Sequence, residues 1–379
     1  METDVLIRNI EKRKREILDL TLKLISIDTS EGKEGEAALF LSEYFEEYGF
    51  ETRLEGEEGR ENLILGSFNA SMIFNGHLDV VPPGRPEGWR NPPFKPYVKD
   101  GAVYGRGACD MKGAVASMAV AYITLAEAFK MDDILLMFTA DEESGGFAGL
   151  GMFANKIDAT MGVIGEPTDM NIVSSHKGSI GVRIRVKGIP AHGSKPELGI
   201  NAIYYASKMI QDLTEMEFVK EDPVLGKPTL MVSLIWGGEK LNMVPDTCEF
   251  LIDRRMIPGE SGDMALKEIR DVVEKYTEYG IDVDVEKMFE MSPVKVDEGE
   301  RVIELARNAL EKVGIKPSIE GMSGCSDARF LVERGIPTIL LGPGKTELAH
   351  GYDEHIDIES LEQAAMVYGL MMYECMVMG

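Results

Sequence analysis

The stretch Ile73-Phe74-Asn75-Gly76-His77-Leu78-Asp79-Val80-Val81-Pro82 is where the reading of this chain begins. Ile73 and Phe74 close a buried strand, and Asn75-Gly76 breaks the apolar run. His77 and Asp79 therefore emerge where a strand gives way to a loop, the position at which α/β folds place ligands. Successive strand residues face opposite ways, so His77 and Asp79 share one side and Leu78 takes the other. A carboxylate two residues from a histidine is placed to fix the tautomer of a metal-binding imidazole. Taken alone, His-x-Asp also fits a surface histidine after a strand. The choice depends on how the other strands end.

Two more apolar strands end in the same manner. Asp133–Thr139 runs into Ala140-Asp141-Glu142-Glu143-Ser144-Gly145-Gly146, and Met161–Gly165 runs into Glu166-Pro167-Thr168. Adjacent glutamates at the end of a buried strand are costly unless cations neutralise them or chemistry uses them; an exposed acidic turn is the alternative. A parallel sheet gathers such strand ends along one edge. Between the first two strands, Gly105-Arg106-Gly107-Ala108-Cys109-Asp110-Met111-Lys112-Gly113 precedes a helical run, Ala114–Phe129, expected to be buried on one side. Asp110 thus stands just before a helix N-terminus, where a plain N-cap aspartate would also stand. The glycines do not make a phosphate loop, because neither Gly-Lys-Ser/Thr nor Gly-x-Gly-x-x-Gly is present. Carboxylates mixed with imidazole suit zinc, cobalt or manganese better than copper or an iron–sulfur centre.

The chain has 379 residues, which favours two domains over one core. Its formal charge of −25, from 40 basic and 65 acidic side chains, argues against nucleic acid or an anionic membrane as the main partner. No apolar run approaches a membrane span of about 18 residues, and the charged Met1–Arg15 segment does not read as a signal peptide. Four scattered cysteines (Cys109, Cys248, Cys325, Cys375), without Cys-x-x-Cys, suit a reducing cytoplasm.

The spacing predicts one helix over 4–27, a second over 36–48, and short strands near 50–54, 62–66 and 71–75. Six prolines between Pro82 and Pro96 make a loop that walls the first site stretch, with Trp89 and Phe94 packed in it. After His176 the pattern changes. Residues 179–187 alternate as a half-exposed strand, followed by a helix over 198–217, strands over 229–237 and 246–253, a helix over 262–280 and a strand over 281–289. This βαββαβ order is a ferredoxin-like unit with one open sheet face. Then the first pattern resumes, with a helix over 300–313, a Gly/Ser loop over 321–327, a short helix over 328–334, a strand over 337–341, a loop carrying His350 and a closing helix over 358–376. The expected fold is α/β: a mostly parallel-sheet domain (1–177 and 292–379) with helices on both faces, interrupted by an inserted α+β domain (178–291).

Gly76-His77-Leu-Asp79-Val-Val-Pro, the GRGACDMKG segment with Asp110, the Glu142-Glu143 pair and Gly165-Glu166-Pro-Thr together resemble the dinuclear zinc amidohydrolases. That family includes acetylornithine deacetylase, succinyl-diaminopimelate desuccinylase, aminoacylase and glutamate carboxypeptidase. The likeness covers essentially the whole chain, with the motifs in family order. It implies that His77 and Glu166 hold one divalent cation, Glu143 and His350 hold a second, and Asp110 bridges them. Asp79 would orient His77, Glu142 would be the general base, and the Asp110–Met111 peptide would be cis. The resemblance further implies that His192, in Gly188-Ile-Pro-Ala-His192-Gly-Ser, stabilises the oxyanion, often across a dimer interface, and that Asn242 joins it. Arg255 would grip the substrate carboxylate, with Arg254 its possible confusion, and Gly324, Cys325 and Ser326 would lie in a substrate-binding turn. The family pattern His, two residues, Asn or Asp, then Glu selects His350 over His355, which is left as an exposed residue. Glu166 rather than aspartate favours the deacylase and carboxypeptidase branches.

The expected activity is that of a cytoplasmic, homodimeric, metal-dependent hydrolase holding two divalent ions, Zn2+ foremost, with Co2+ or Mn2+ as alternatives. It would cleave the amide of an N-acyl amino acid. A carboxypeptidase or dipeptidase acting on short peptides is the enzymatic alternative, and a binding protein on a decayed hydrolase fold the non-enzymatic one.

Overall fold

A computed structural model describes residues 3–30 and 32–378. Residues 1–2, 31 and 379, at the ends of and inside the expected first domain, lie outside the described residues. The chain divides into two compact units. One comprises Met1–Ser174, Val296–Glu320 and Ser326–Gly379; the other comprises Ser175–Lys295 with Gly321–Cys325. The first part of the Gly/Ser loop thus falls in the second unit.

The first unit is built on a sheet whose centre is parallel. Ile134–Thr139, Met72–His77, Met161–Ile164 and Thr338–Leu340 lie side by side in that order, all running the same way. These strands are buried along their whole length, which is why they read as apolar runs rather than alternating ones. The hairpin Arg53–Glu57 and Arg60–Leu65 extends one side antiparallel. On the other side Ile172–His176 lies antiparallel to Thr338–Leu340. That strand was not anticipated: Ser174, Ser175 and His176 hide its apolar start.

The helix Gly113–Ala126 is buried from Gly113 to Leu125, not on one side only. An all-round apolar helix of this kind belongs inside a core, and it packs against Ile358–Met378 and Lys14–Ser26. The expected 4–27 helix is two helices, Thr3–Lys12 and Lys14–Ser26, broken at Arg13, whose guanidinium ties Glu16 to Glu127. The proline-rich loop feeds a small sheet of Tyr97–Lys99, Ala102–Tyr104 and His355–Asp357. His355 is consequently not a free surface residue. Its ring stacks on Tyr104 at 4.7 Å and it is half-buried.

The second unit has the expected βαββαβ order. Its sheet runs Thr229–Gly237, Thr247–Met256, Gly178–Lys187, Asp282–Met291, antiparallel throughout. The helices Ala202–Thr214 and Gly262–Val273 cover one face over a core of Ile180, Val182, Ile184, Phe250 and Ile252. Asn201 and Ser261 cap these helices through side-chain oxygens. The other face carries a charged ladder of Arg183 and Arg185 between Glu249, Asp284 and Glu286.

Candidate metal centre

The parallel strands deliver their polar ends to one edge of the first unit. Met72–His77 ends in His77, and Gly76 beside it leaves room for the Met111 methyl, which would stand 2.8 Å from a Cβ there. Ile134–Thr139 leads into the short turn Glu142–Ser144, and Met161–Ile164 into Glu166. Thr338–Leu340 leads to His350, in left-handed backbone at φ +62°. Asp110 precedes the buried Gly113–Ala126 helix, and the Asp110–Met111 bond is cis.

Five of these side chains form two groups of three that share Asp110. In His77, Asp110 and Glu166, and again in Asp110, Glu143 and His350, one donor atom from each residue lies within 4.8 Å of the other two. One Asp110 oxygen, Oδ1, is 2.9 Å from His77 Nε2; the other, Oδ2, is 3.3 Å from His350 Nε2. His350 Nε2 is also 2.9 Å from Glu143 Oε1, and His77 Nε2 is 4.0 Å from Glu166 Oε1.

The proton positions identify what the groups are for. His77 Nδ1 lies 2.9 Å from the Asp79 carbonyl oxygen, which can only accept, so Nδ1 carries the hydrogen. In the neutral ring Nε2 is then a lone pair facing a carboxylate oxygen. Two acceptors in contact need a cation between them, either a proton or a metal ion. Glu166 Oε1 is buried with no hydrogen-bond partner among the described residues. The donor set, two imidazoles and three carboxylates with Asp110 common to both groups, suits divalent ions.

Without such ions the charges shift one another strongly. Burial, then the charge of Asp110, pushes the Glu166 carboxyl up to about 8. Burial, then Glu166, raises Glu142 well above the carboxylate range. Burial alone would raise Asp110, yet its hydrogen bonds to His350 and His77 hold it far below its ordinary value. Those to Asp110 and Glu143 push His350 up to about 10. In effect protons take the place of metal charge.

Asp79 has a second task. Beyond its carbonyl on His77, its carboxylate accepts the backbone N–H of Glu142 (3.2 Å) and of Glu143 (2.9 Å). It therefore aims the Glu-Glu turn as well as the imidazole. The turn is gripped from the other side by Arg329, which donates to the Gly145 carbonyl.

The remaining predicted residues separate into three kinds. His192 and Asn242 are exposed neighbours in the second unit, joined by the Gly193 N–H to Asn242 carbonyl bond of 2.8 Å. The Ser194 N–H donates to His192 Nδ1, which leaves Nε2 as the ring nitrogen free to carry the hydrogen. Arg255 is half-buried, held by Asp253 at 2.9 Å, with Nη1 3.9 Å from the Cys325 sulfur. Gly324 is in the same turn. Arg254, next to Arg255 in the chain, is fully buried between Glu260, Glu268 and the Phe218 ring. Breaking such a buried pair costs about 3–5 kcal/mol, so Arg254 is a structural residue. Ser326, expected at the substrate turn, has no exposed surface, and its hydroxyl accepts the Ala328 N–H at the start of Ala328–Val332.

Comparison with known proteins agrees with this geometry. The profile of Peptidase family M20/M25/M40 matches residues 73–374. A succinyl-diaminopimelate desuccinylase of Thioalkalivibrio sulfidiphilus is 28% identical over 371 residues, covering 93% of this chain and 96% of that one. The aminopeptidase PepT of Bacillus cereus superposes with a TM-score of 0.80 at 26% identity, over 96% of this chain and 99% of that one. The YXEP protein of Bacillus subtilis, described as a dinuclear metal binding peptidase, shares the fold, with a TM-score of 0.73 at 18% identity over 97% and 99% of the two chains. Each of the two triads has the donor atoms that could hold a divalent cation. Among the described residues, no helix is long and apolar enough to cross a membrane.

Proposed function

The chain belongs to peptidase family M20/M25/M40, and from that premise we propose that it is a metal-dependent hydrolase cleaving the amide of an N-acyl amino acid of the succinyl-diaminopimelate or acetylornithine type. The observation that carries this reading is Asp110, whose two oxygens face His77 and His350 while each histidine stands beside a further carboxylate, Glu166 or Glu143. When bound, the two cations, zinc foremost, supply the electrophilic pull on the scissile carbonyl and the acidity of the attacking water.

The chain's own residues do the rest. Glu142 takes a proton from the attacking water and returns it to the leaving nitrogen as the C–N bond breaks. Asp79 keeps Glu142 and Glu143 in place through their amides. His192, with its Nε2 proton, and Asn242 donate to the carbonyl oxygen as it gains charge. Arg255 grips the free carboxylate of the substrate, beside the Gly324-Cys325 turn. The segments 1–177 and 292–379 form the catalytic domain, and 178–291 the lid and dimerisation domain. In the free protomer Leu234, Ile235 and Trp236 stand half-exposed in succession on the edge strand Thr229–Gly237. A second copy pairing there would cover them, giving a homodimer in which His192 serves the partner's site. The compartment that fits four scattered cysteines without a Cys-x-x-Cys pair is the cytoplasm.

The test is a panel of N-succinyl and N-acetyl amino acids alongside di- and tripeptides, assayed with chelator and after zinc or cobalt return. Chelator-sensitive cleavage of one N-acyl amino acid is the expected result. The likeness to the aminopeptidase PepT favours one rival, a peptidase acting on free peptides. Turnover of peptides alone would select it. Glu142→Gln is expected to lower kcat by about 10²–10⁴-fold with metal content unchanged; full activity in that variant removes Glu142 from the role of base.

A further inference from the structure

The two cation-holding groups draw their ligands from distant parts of the chain, and one buried ion pair ties those parts together. Arg106, four residues before Asp110, meets Glu354, four residues after His350. Arg106 Nη1 is 2.6 Å from Glu354 Oε2, and the side chains are 3% and 1% exposed. Glu354 Oε1 accepts the backbone N–H of Cys109 at 2.9 Å and of Asp110 at 3.1 Å. Arg106 Nη2 donates to the His350 carbonyl at 3.3 Å. Neither residue offers an atom to the cations. Each instead holds the backbone of a residue that does.

His350 needs such support more than the other ligands. Its side chain is 52% exposed, and its backbone lies in the left-handed region at φ +62°, where a residue with a Cβ is disfavoured. It follows a loop rather than ending a strand. The Trp89 ring lies 5.1 Å from the Arg106 guanidinium carbon and 6.1 Å, edge-on, from the Tyr352 ring. A Cβ at Gly88 would run into Tyr352. The proline-rich loop therefore presses on Arg106 and on the His350 loop together.

We propose that Arg106 is a positioning residue for the cation held by Glu143 and His350, acting through the His350 carbonyl, while Glu354 fixes the turn that presents Asp110. The inference rests on the reading of the site as dinuclear. Arg106 grips the backbone of a ligand to one cation only, so its alteration should separate two binding constants that a general structural staple would move together. Groups that orient metal ligands typically contribute about 10–100-fold to affinity.

The experiment is a calorimetric Zn2+ titration of the metal-free full chain, with thermal unfolding of the same samples before zinc is added. Arg106→Lys keeps a cation beside Glu354 but lacks the fork that reaches Glu354 and His350 at once. The double variant Arg106→Met/Glu354→Gln removes both charges while leaving an oxygen for the Cys109 and Asp110 amides, so no buried charge is stranded. In both, the first dissociation constant is expected to stay within about threefold of wild type and the second to rise about 10–100-fold, with kcat recovered in excess zinc. Unchanged constants would overturn the proposal. So would equal weakening of both steps with a lowered unfolding midpoint in the metal-free protein, since that is the behaviour of a staple. Wild-type protein that takes up no second cation would overturn the dinuclear reading itself, whatever the variants do.

Discussion

The two halves of the candidate metal centre share a carboxylate and nearly the same donor types, yet they are built differently. His77, Asp110 and Glu166 are all buried, and two of the three end strands of the central parallel sheet. Asp110, Glu143 and His350 grade from buried to exposed. Glu143 sits on a short turn held by Asp79, and His350 on a loop in left-handed backbone. The first group inherits its geometry from the sheet. The second borrows it from neighbours: Asp79, Arg329, Arg106 and the loop around Trp89. A ligand that ends a buried strand cannot move without disturbing a core, whereas one on a loop is only as fixed as its hydrogen bonds.

Loss of the shared member should abolish the distinction. Asp110→Asn is expected to reduce activity at least about a thousandfold, a small part of what enzymes of this kind supply, and to reduce zinc content by mass spectrometry below one ion per chain. An active variant holding two ions would break the bridging role. Glu143→Gln should sharpen the difference instead, leaving one tightly held ion and a loosely held second. If Glu143→Gln empties both sites equally, the halves are not independent in the way their burial implies.

The next effect is on stability and concerns pH. In the metal-free protein Glu166 has its pKa raised from 4.5 to about 8 by burial and by Asp110, so the fold keeps a proton that the unfolded chain releases. His350 is raised from 6.5 to about 10 by its hydrogen bonds to Asp110 and Glu143, and its contribution is complete below 6.5 and lost as pH rises toward 10. Both signs agree: between about pH 5 and 9 the folded state binds more protons than the unfolded one, and stability falls as pH rises. Asp110, held below its ordinary value, acts oppositely only in more acid solution, and Lys112, lowered by burial from 10.5 to about 7, offsets part of the fall above pH 7. Thermal midpoints in chelator should therefore fall across this window, and saturating zinc should flatten the slope. A rising midpoint in chelator would mean that the cluster does not hold protons in place of metal. The smallest expected effect is that of His355→Ala, which removes one stacked ring outside both halves and should change kcat/KM by less than about twofold, with a loss of roughly 1 kcal/mol in stability at most.

What could be read in the sequence follows from the same contrast. His77, the Glu142-Glu143 pair and Glu166 were legible because a buried parallel strand announces itself as an apolar run, and the residues that follow it must lie at its end. His350 was not legible that way. Its strand, Thr338–Leu340, stops well before it, and only the resemblance to a family motif separated it from His355. The supports were invisible. Arg106 and Glu354 stand 248 residues apart, and nothing in either neighbourhood distinguishes a buried ion pair from two surface charges. Asp79 was assigned to the imidazole alone because its second set of partners, two backbone amides, lies in another strand's turn. The break at Arg13 has no sequence signal because both flanking segments are helical, and the burial of Ser326 has none because the helix after it is only five residues long.

The Arg106–Glu354 tie also sets an order in time. At ordinary synthesis rates of about 5–20 residues per second, a ribosome completes His77, Asp110 and Glu166 roughly ten seconds or more before it reaches Glu354. Until then the Cys109 and Asp110 amides lack the carboxylate that receives them in the finished protein. A nascent chain thus displays acidic residues meant for metal while the group that shapes their turn has yet to be translated, and loading of the complete centre belongs to the last stage of the protein's birth.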